Sequence, residues 1–482
     1  MPQPNILLIQ SDQHRADCLG VNGHPLIQTP HLDRLAREGC TFSHAFTPAP
    51  ICTPSRVSLL TGLWPTQHGS ITNQDAEAGK PLDPTLATYT QALDQAGYFL
   101  AHIGKWGIDT KLTPLDFGVD VYVDEKGYET WRKEQGIPPK PKTNRWFGET
   151  DPYITSEQSS LAWGADRTIE QLQQAAQEDR PFCIRWDTRE PHLPNVVPEP
   201  YASLYLPDTI PPWPNFPDPM QGKPYIQRQQ KVTWGIEDWT WEEWAPVVGR
   251  YLGEISLLDA QIGRILDELQ RLGIENNTLV IYTCDHGDLC GAHGLIDKHY
   301  AMYDELVRVP LILRWPDQIA AGQTCDAFVS SAIDLASTLC DAAGVESPKN
   351  FMGQSLLHPS LTLPSLGREP SRDKLTRNSR PQGAPAAIRN SIFSTYFGNQ
   401  FGLYSQRMVR DRRWKYIWNP TDVDELYDLE RDPAELVNRI SDTTCAEELR
   451  RLRHELVHWM ESTSDSLLNG WTKQQLLEGR KL

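Results

Sequence analysis

No run of apolar residues in this 482-residue chain approaches the roughly 20 needed to cross a bilayer, so no membrane-spanning helix is expected. The N-terminus has no basic segment leading into a signal-like apolar core. Asn5-Ile6-Leu7-Leu8-Ile9 begins a strand almost at once, and a cytoplasmic chain starting near Met1 is the expectation. The nine cysteines include no Cys-x-x-Cys pair and lie scattered from 18 to 445, a pattern of reduced thiols rather than a disulfide framework. An excess of basic residues is also lacking. A net charge of −17 argues against nucleic acid as a partner, and it means that an anionic substrate needs a local positive site acting against the global field. No internal repeat is found.

What is present describes a soluble globular protein, 39% hydrophobic and 23% charged, and long enough to exceed a single core. Residues 5–10, 99–103, 182–186, 278–282 and 310–313 read as short buried strands. Helical periodicity marks 30–37, 85–96, 160–177 and 246–272. This alternation predicts an α/β fold: a large, mostly parallel mixed sheet flanked by helices, with ligands beyond the carboxyl ends of the strands. The Pro-, Ser- and Arg-rich stretch 358–385 reads as a surface connection. After it, 388–396 and 408–418 read as antiparallel strands and 446–462 as an amphipathic helix. The division is therefore a catalytic domain over 1–375 and a smaller α+β domain over 376–482.

Two polar pairs follow strands: Asp12-Gln13 after Ile6–Ile9, and Asp285-His286 after Leu279–Tyr282. Neighbouring parallel strands would bring both to one sheet edge. Two carboxylates, an amide oxygen and an imidazole there form a mixed site for a divalent cation. Each residue alone would be a turn or cap; two equivalent pairs favour the site. Between them lies Cys52-Thr53-Pro54-Ser55-Arg56, with Arg56 one helical turn from Cys52. A free cysteine is ordinarily a buried apolar residue, and the context decides against that reading here.

That run, with Leu60-Thr61-Gly62, resembles the signature of the sulfatases, a branch of the alkaline phosphatase superfamily. The resemblance continues in family order through Gly104-Lys105-Trp106, Pro191-His192-Leu193-Pro194, Asp285-His286-Gly287, Gly291-Ala292-His293-Gly294, Lys298 and Asp424 to Leu429. It implies that Cys52 is a precursor, oxidised to formylglycine by a formylglycine-generating enzyme. Its hydrate would attack a small anionic ester, and a sulfate monoester is the first expectation. It also implies that Asp12, Gln13, Asp285, His286 and the modified Cys52 hold one divalent cation, calcium, magnesium or manganese. Arg56 and Lys105, with His192 and Lys298, would surround the nucleophile, the sulfuryl oxygens and the leaving group. His192 would act as the general acid, since imidazole titrates near physiological pH.

The chain departs from the family in places. Gly107 stands where the family's lysine loop commonly continues with histidine; His102, Asp109 and His68 are the candidate substitutes. Gln13 and His286 resemble the phosphonate monoester hydrolases and phosphodiesterases, as does Asn73, a candidate substrate-binding residue, whereas Lys105 points back to the sulfatases. Hydrolysis of phosphonate monoesters or phosphodiesters is therefore the alternative, with a catalytically silent binding homologue third. Trp213, Trp234, Trp239, Trp241 and Trp244 are expected to pack a core before they line a pocket. This region and residues 125–146 are expected to decide substrate identity. Homo-oligomerisation is left open.

Overall fold

The computed structural model describes residues 3–73, 80–143, 146–316, 318–357, 389–398, 401 and 403–479. Its centre is an eight-stranded sheet. In spatial order the strands are Gln323–Cys325, Cys40–Phe42, Leu311–Arg314, Thr278–Cys284, Asn5–Ser11, Phe182–Asp187, Phe99–Gly104 and Val121–Asp124. Leu311–Arg314 runs antiparallel to both neighbours and the other pairings are parallel, which makes this the mostly parallel mixed sheet that the sequence predicts.

The two-residue period of a strand sorts its side chains between the faces. Ile6 and Leu8 point into a core closed by helices Cys52–Thr61, Tyr89–Gln95 and Ser331–Ala342. Leu7 and Ile9 point into the opposite core, closed by Pro30–Arg37, Ser160–Ala175 and Trp241–Arg271. A central strand buried on both faces needs a continuous apolar run, and Ile6-Leu7-Leu8-Ile9 supplies one.

Several predicted boundaries shift: the strand expected over 388–396 is Ile392–Gly398 and the helix expected over 160–177 ends at Ala175, and three other shifts have a local cause. The helix expected over 85–96 is Tyr89–Gln95, because Thr88 is extended and its hydroxyl accepts from the N–H of Gln91 at 3.2 Å. The helix expected from 246 starts at Trp241, where the Glu243 carboxylate accepts from the N–H of Thr240 at 2.6 Å. The strand expected over 408–418 is a hairpin of Tyr404–Arg410 and Trp414–Trp418. Asp411 turns the chain by accepting from the N–H groups of Arg413 and Trp414 at 2.8 and 2.7 Å.

With Ile392–Gly398 and Glu425–Asp428, that hairpin forms a four-stranded antiparallel sheet. Helix Ala446–Ser462 covers one face through Leu452, Leu456 and Met460. The other face sends Met408, Ile417 and Tyr427 into a core shared with Tyr300, Tyr303 and Leu306. The connection expected over 358–385, and with it the proposed domain boundary, lies outside the described residues. Among the described residues no helix is long and apolar enough to cross a membrane.

Candidate active site

Strand register assembles the site. Ser11 lies opposite Cys284, so Asp12-Gln13 and Asp285-His286 leave adjacent parallel strands side by side. Asp187 ends the strand on the other flank, opposite both Gln10 and Gly104. Cys52 is the first residue of the buried helix Cys52–Thr61, and its thiol lies 3.3 Å from His286 Nε2 and 3.7 Å from Asp12 Oδ1. Asp12, Cys52, Asp285 and His286 bring one ligand atom each within 4.8 Å of one another, all buried. The sulfur marks where the oxygens of a modified residue would sit. His286 Nδ1 lies 2.9 Å from the carbonyl of Gly287, which accepts from it and leaves Nε2 to face Cys52. Gly287 permits this turn: a Cβ there would stand 1.8 Å from the Glu305 carbonyl.

Arg56 sits behind this group with no exposed side-chain surface. It donates to Asp285 through Nε at 2.9 Å, to Asp187 through one terminal nitrogen at 2.6 Å and to Asp12 through the other at 3.1 Å. A planar fork of donors suits three converging carboxylates as a lysine would not. Lys105 also pairs with Asp12, and its N–H donates to the Asp187 carbonyl at 2.8 Å. Lys298 donates to Gln13 Oε1 at 2.9 Å and lies 2.5 Å from His192 Nε2. The structure thus brings Asp12, Gln13, Cys52, Arg56, Lys105, His192, Asp285, His286 and Lys298 to one sheet edge. Asn73 lies beside it, where its Oδ1 accepts from the Thr53 N–H at 3.1 Å and caps the helix that begins at Cys52.

These contacts polarise the site. Burial alone would raise Asp12, yet Lys105, His192, Arg56 and His286 hold its carboxyl well below the usual carboxylate range. Burial and Asp12 push the Cys52 thiol up, but Lys105, Lys298 and His286 outweigh them and bring it well below the ordinary thiol value. Burial would lower Lys105, and Asp12 with Cys52 raises it instead. An anion at position 52 is therefore favoured by its surroundings.

Sequence reasoning missed three carboxylates. Asp187 was findable by the rule that found Asp12 and Asp285, a polar residue at the carboxyl end of an apolar strand. Asp288 and Asp297 carry no such signal, because the loop between them returns in space: both accept from Gln13 Nε2, at 2.6 and 3.1 Å. They fix the amide so that its oxygen faces Lys298.

Of the candidate substitutes for the missing histidine, His102 turns Nε2 to the Lys105 carbonyl at 3.1 Å and packs on Trp106. His68 lies 3.0 Å from the Ser58 hydroxyl. Asp109 accepts from the N–H groups of Leu82, Lys111 and Leu112. Each has a partner other than Cys52. Gly107 itself has φ +60°, and a Cβ there would stand 3.2 Å from both Arg56 Cδ and Lys105 Cε. The tryptophans behave as packing: Trp244 is fully buried and edges onto Trp239, and Trp213 lies under Arg15.

A family model described as Sulfatase matches residues 4–345. The chain belongs to the sulfatase family. It has the alkaline phosphatase-like fold and is a sulfuric ester hydrolase. It is 29% identical to the uncharacterized sulfatase YidJ of Escherichia coli (strain K12), over 96% of this chain and 88% of that one. It is 27% identical to an N-acetylglucosamine-6-O-sulfatase of Bacteroides thetaiotaomicron, over 96% of this chain and 86% of that one. Among solved structures it is similar to a phosphonate monoester hydrolase of Agrobacterium radiobacter. There the TM-score is 0.77 at 25% identity, over 96% of each chain.

Proposed function

We propose that this sulfatase hydrolyses sulfate monoesters with a formylglycine hydrate derived from Cys52 and one divalent cation. The observation that carries the reading is the buried quartet of Asp12, Cys52, Asp285 and His286, ringed by Arg56, Lys105 and Lys298. The donor set fits a divalent cation: two carboxylates, an imidazole nitrogen facing inward and the residue at 52, with the Gln13 oxygen, which here accepts from Lys298, as a further donor. Asp12, Gln13, Asp285 and His286 would hold the ion with residue 52; it would supply charge to the nucleophile and the ester oxygens, with calcium, magnesium and manganese all compatible with the set. A hydrated aldehyde carries two hydroxyls on one carbon, one to attack sulfur and one whose deprotonation expels sulfate.

The chain's own residues supply the rest. Arg56, Lys105 and Arg185 pair with Asp12, Asp187 and Asp285, so a bound dication leaves the centre net positive and able to receive an anion despite the −17 of the whole chain. Lys105 and Lys298 flank the position of the ester oxygens. His192, held beside Lys298, is the proton carrier for the leaving oxygen.

The test is Cys52→Ala assayed on 4-nitrophenyl sulfate beside wild-type protein whose modification at position 52 has been verified by mass spectrometry. Turnover is expected to vanish with the fold retained, and full activity in the variant would overturn the reading. Dialysis against a chelator should likewise remove activity, with one of calcium, magnesium or manganese restoring it. Phosphonate monoesters and phosphate diesters serve as comparison substrates and are expected to react more slowly.

A further inference from the structure

The loop that carries His192 is tied down on both sides of that residue. Before it, the Thr188 N–H donates to the Gln10 carbonyl at 2.9 Å. The Glu190 carbonyl accepts from the Thr188 hydroxyl at 2.6 Å and from the Asp12 N–H at 3.3 Å. After it, the chain must be held differently, because Pro191 and Pro194 have no N–H with which to close the loop on itself. The Asn195 side chain supplies the donors: Nδ2 donates to the Pro191 carbonyl at 2.8 Å and to Glu254 Oε2 at 2.7 Å. An amide nitrogen carries two hydrogens, and these two contacts use both.

The bond from Asn195 to Pro191 encloses His192 and Leu193. His192 Nδ1 lies 2.6 Å from the Leu193 carbonyl, and Nε2 lies 2.5 Å from Lys298 Nζ. The carbonyl that accepts from Nδ1 thus belongs to the closed loop, and its placement decides where Nε2 points. The other end of the clamp is a long helix. Glu254 lies within Trp241–Arg271, and Arg250, one turn earlier on the same face, donates to the Phe147 carbonyl at 2.9 Å. From that segment the Glu149 N–H donates to the Asn195 carbonyl at 3.0 Å. Asn195 and Glu254 are 3% and 5% exposed, so water is a poor replacement for either partner.

We infer that Asn195 and Glu254 are positioning residues for His192: Glu254 holds the Asn195 amide, which closes the loop that aims Nε2 at the leaving oxygen. This assignment rests on the reading of His192 as the acid for that oxygen, and it names what keeps the acid in place. Burial and the neighbouring Glu190 push the Glu254 carboxyl up to about 8, against the hydrogen bond from Asn195. The neutral acid is therefore favoured at pH 7, and the contact needs an acceptor oxygen rather than a charge.

The experiment compares kcat/KM on phenyl sulfate and 4-nitrophenyl sulfate. The leaving groups are similar in size, but phenoxide is much the more basic and depends more on a proton donor. His192→Ala should widen the preference for the nitrophenyl ester by about 100-fold or more, the range for positioned proton transfer. Asn195→Ala and Glu254→Ala should widen it by roughly 10-fold, the share of one hydrogen bond. Glu254→Gln, which keeps an acceptor oxygen, should fall between Glu254→Ala and wild type. A packing role alone would lower both rates in proportion and leave the preference unchanged. That result overturns the inference, as does a Glu254→Gln variant no better than Glu254→Ala. If an alanine variant fails to fold by circular dichroism, Asn195→Ser makes the same comparison, since its one hydroxyl hydrogen can reach only one of the two acceptors. A His192→Ala variant with the wild-type preference would instead sink the reading of His192 as the acid, and this assignment with it.

Discussion

Arg56 gives the sharpest test of how the site is built. Replacing it by alanine removes the one group that touches Asp12, Asp187 and Asp285 together, and all four side chains are fully buried. Asp12 keeps Lys105 and Asp187 keeps Arg185, whereas Asp285, among the described residues, pairs only with Arg56 and, at 3.7 Å, with His286. Removing one partner of a buried ion pair typically costs about 3–5 kcal/mol, because it leaves a charge without compensation. Unfolding entropy near 2.1 cal/mol/K per residue gives about 1 kcal/mol/K for a chain of this length unfolding as a unit. The midpoint by calorimetry should then fall by about 3–5 °C. The acid dependence supplies a second readout. In Arg56→Ala the orphaned carboxylates have raised folded-state pKa values, and a raised carboxylate is destabilising above its unfolded value near 3.9. That penalty is full at pH 7 and is relieved as pH falls through the raised folded value. The gap between variant and wild type should therefore be smaller at pH 5 than at pH 7. A midpoint within 1 °C of wild type, or a gap that widens on acidification, would refute the three-carboxylate bridge as the organising contact.

Two further outcomes follow, one from the loop beside Arg56 and Lys105 and one from the join between the two parts of the chain. Gly107→His, which installs the histidine common in the family's lysine loop, should lower both activity and stability: a left-handed backbone costs an L-residue about 1–2 kcal/mol, and the new Cβ meets Arg56 and Lys105 at 3.2 Å. A variant faster than wild type on 4-nitrophenyl sulfate would contradict this. A fragment of residues 1–375 should show neither cooperative unfolding nor turnover, because Asp304 is held across the two parts by the buried Lys415 at 2.6 Å and by Glu435, which accepts from its N–H at 2.7 Å. A soluble, active fragment would show the parts to be independent.

What the sequence made legible is governed by chain proximity. Asn5–Ser11 and Thr278–Cys284 are central strands whose apolar runs end in paired polar residues, so both their existence and their sharing of an edge could be read locally. Helix Pro30–Arg37 begins at proline and was read to its observed bounds. The hairpin around Asp411 was not legible as a break, since its turn is made by a side chain accepting two N–H groups rather than by glycine or proline. Likewise Asn73 could be tied to the site by resemblance, but its place at the Thr53 N–H depends on a loop returning across 20 residues. The role of Arg56 was only half legible: its helical spacing from Cys52 is in the sequence, while its three carboxylates come from three different strands.

The same distinction explains how the site keeps a positive face. Gln13 is neutral, and the negative charge near it sits on Asp288 and Asp297, behind its amide nitrogen. Those carboxylates orient the amide and also balance Lys298, which lies 3.7 Å from Asp297 and reaches past Gln13 to His192. Two carboxylates at the quartet rather than three leave more positive potential for an incoming anion. Placing further acids behind the amide preserves that potential at the reacting face while stabilising the buried lysine. The acids and the amide therefore act as one unit, and Asp297→Asn should weaken the hold on Lys298 and on the amide together. The expected signature is a higher KM for 4-nitrophenyl sulfate with a smaller change in kcat, since an anion-binding cation would be displaced while the residue at 52 stays in place. A fall in kcat at constant KM would instead place Asp297 in the chemical step.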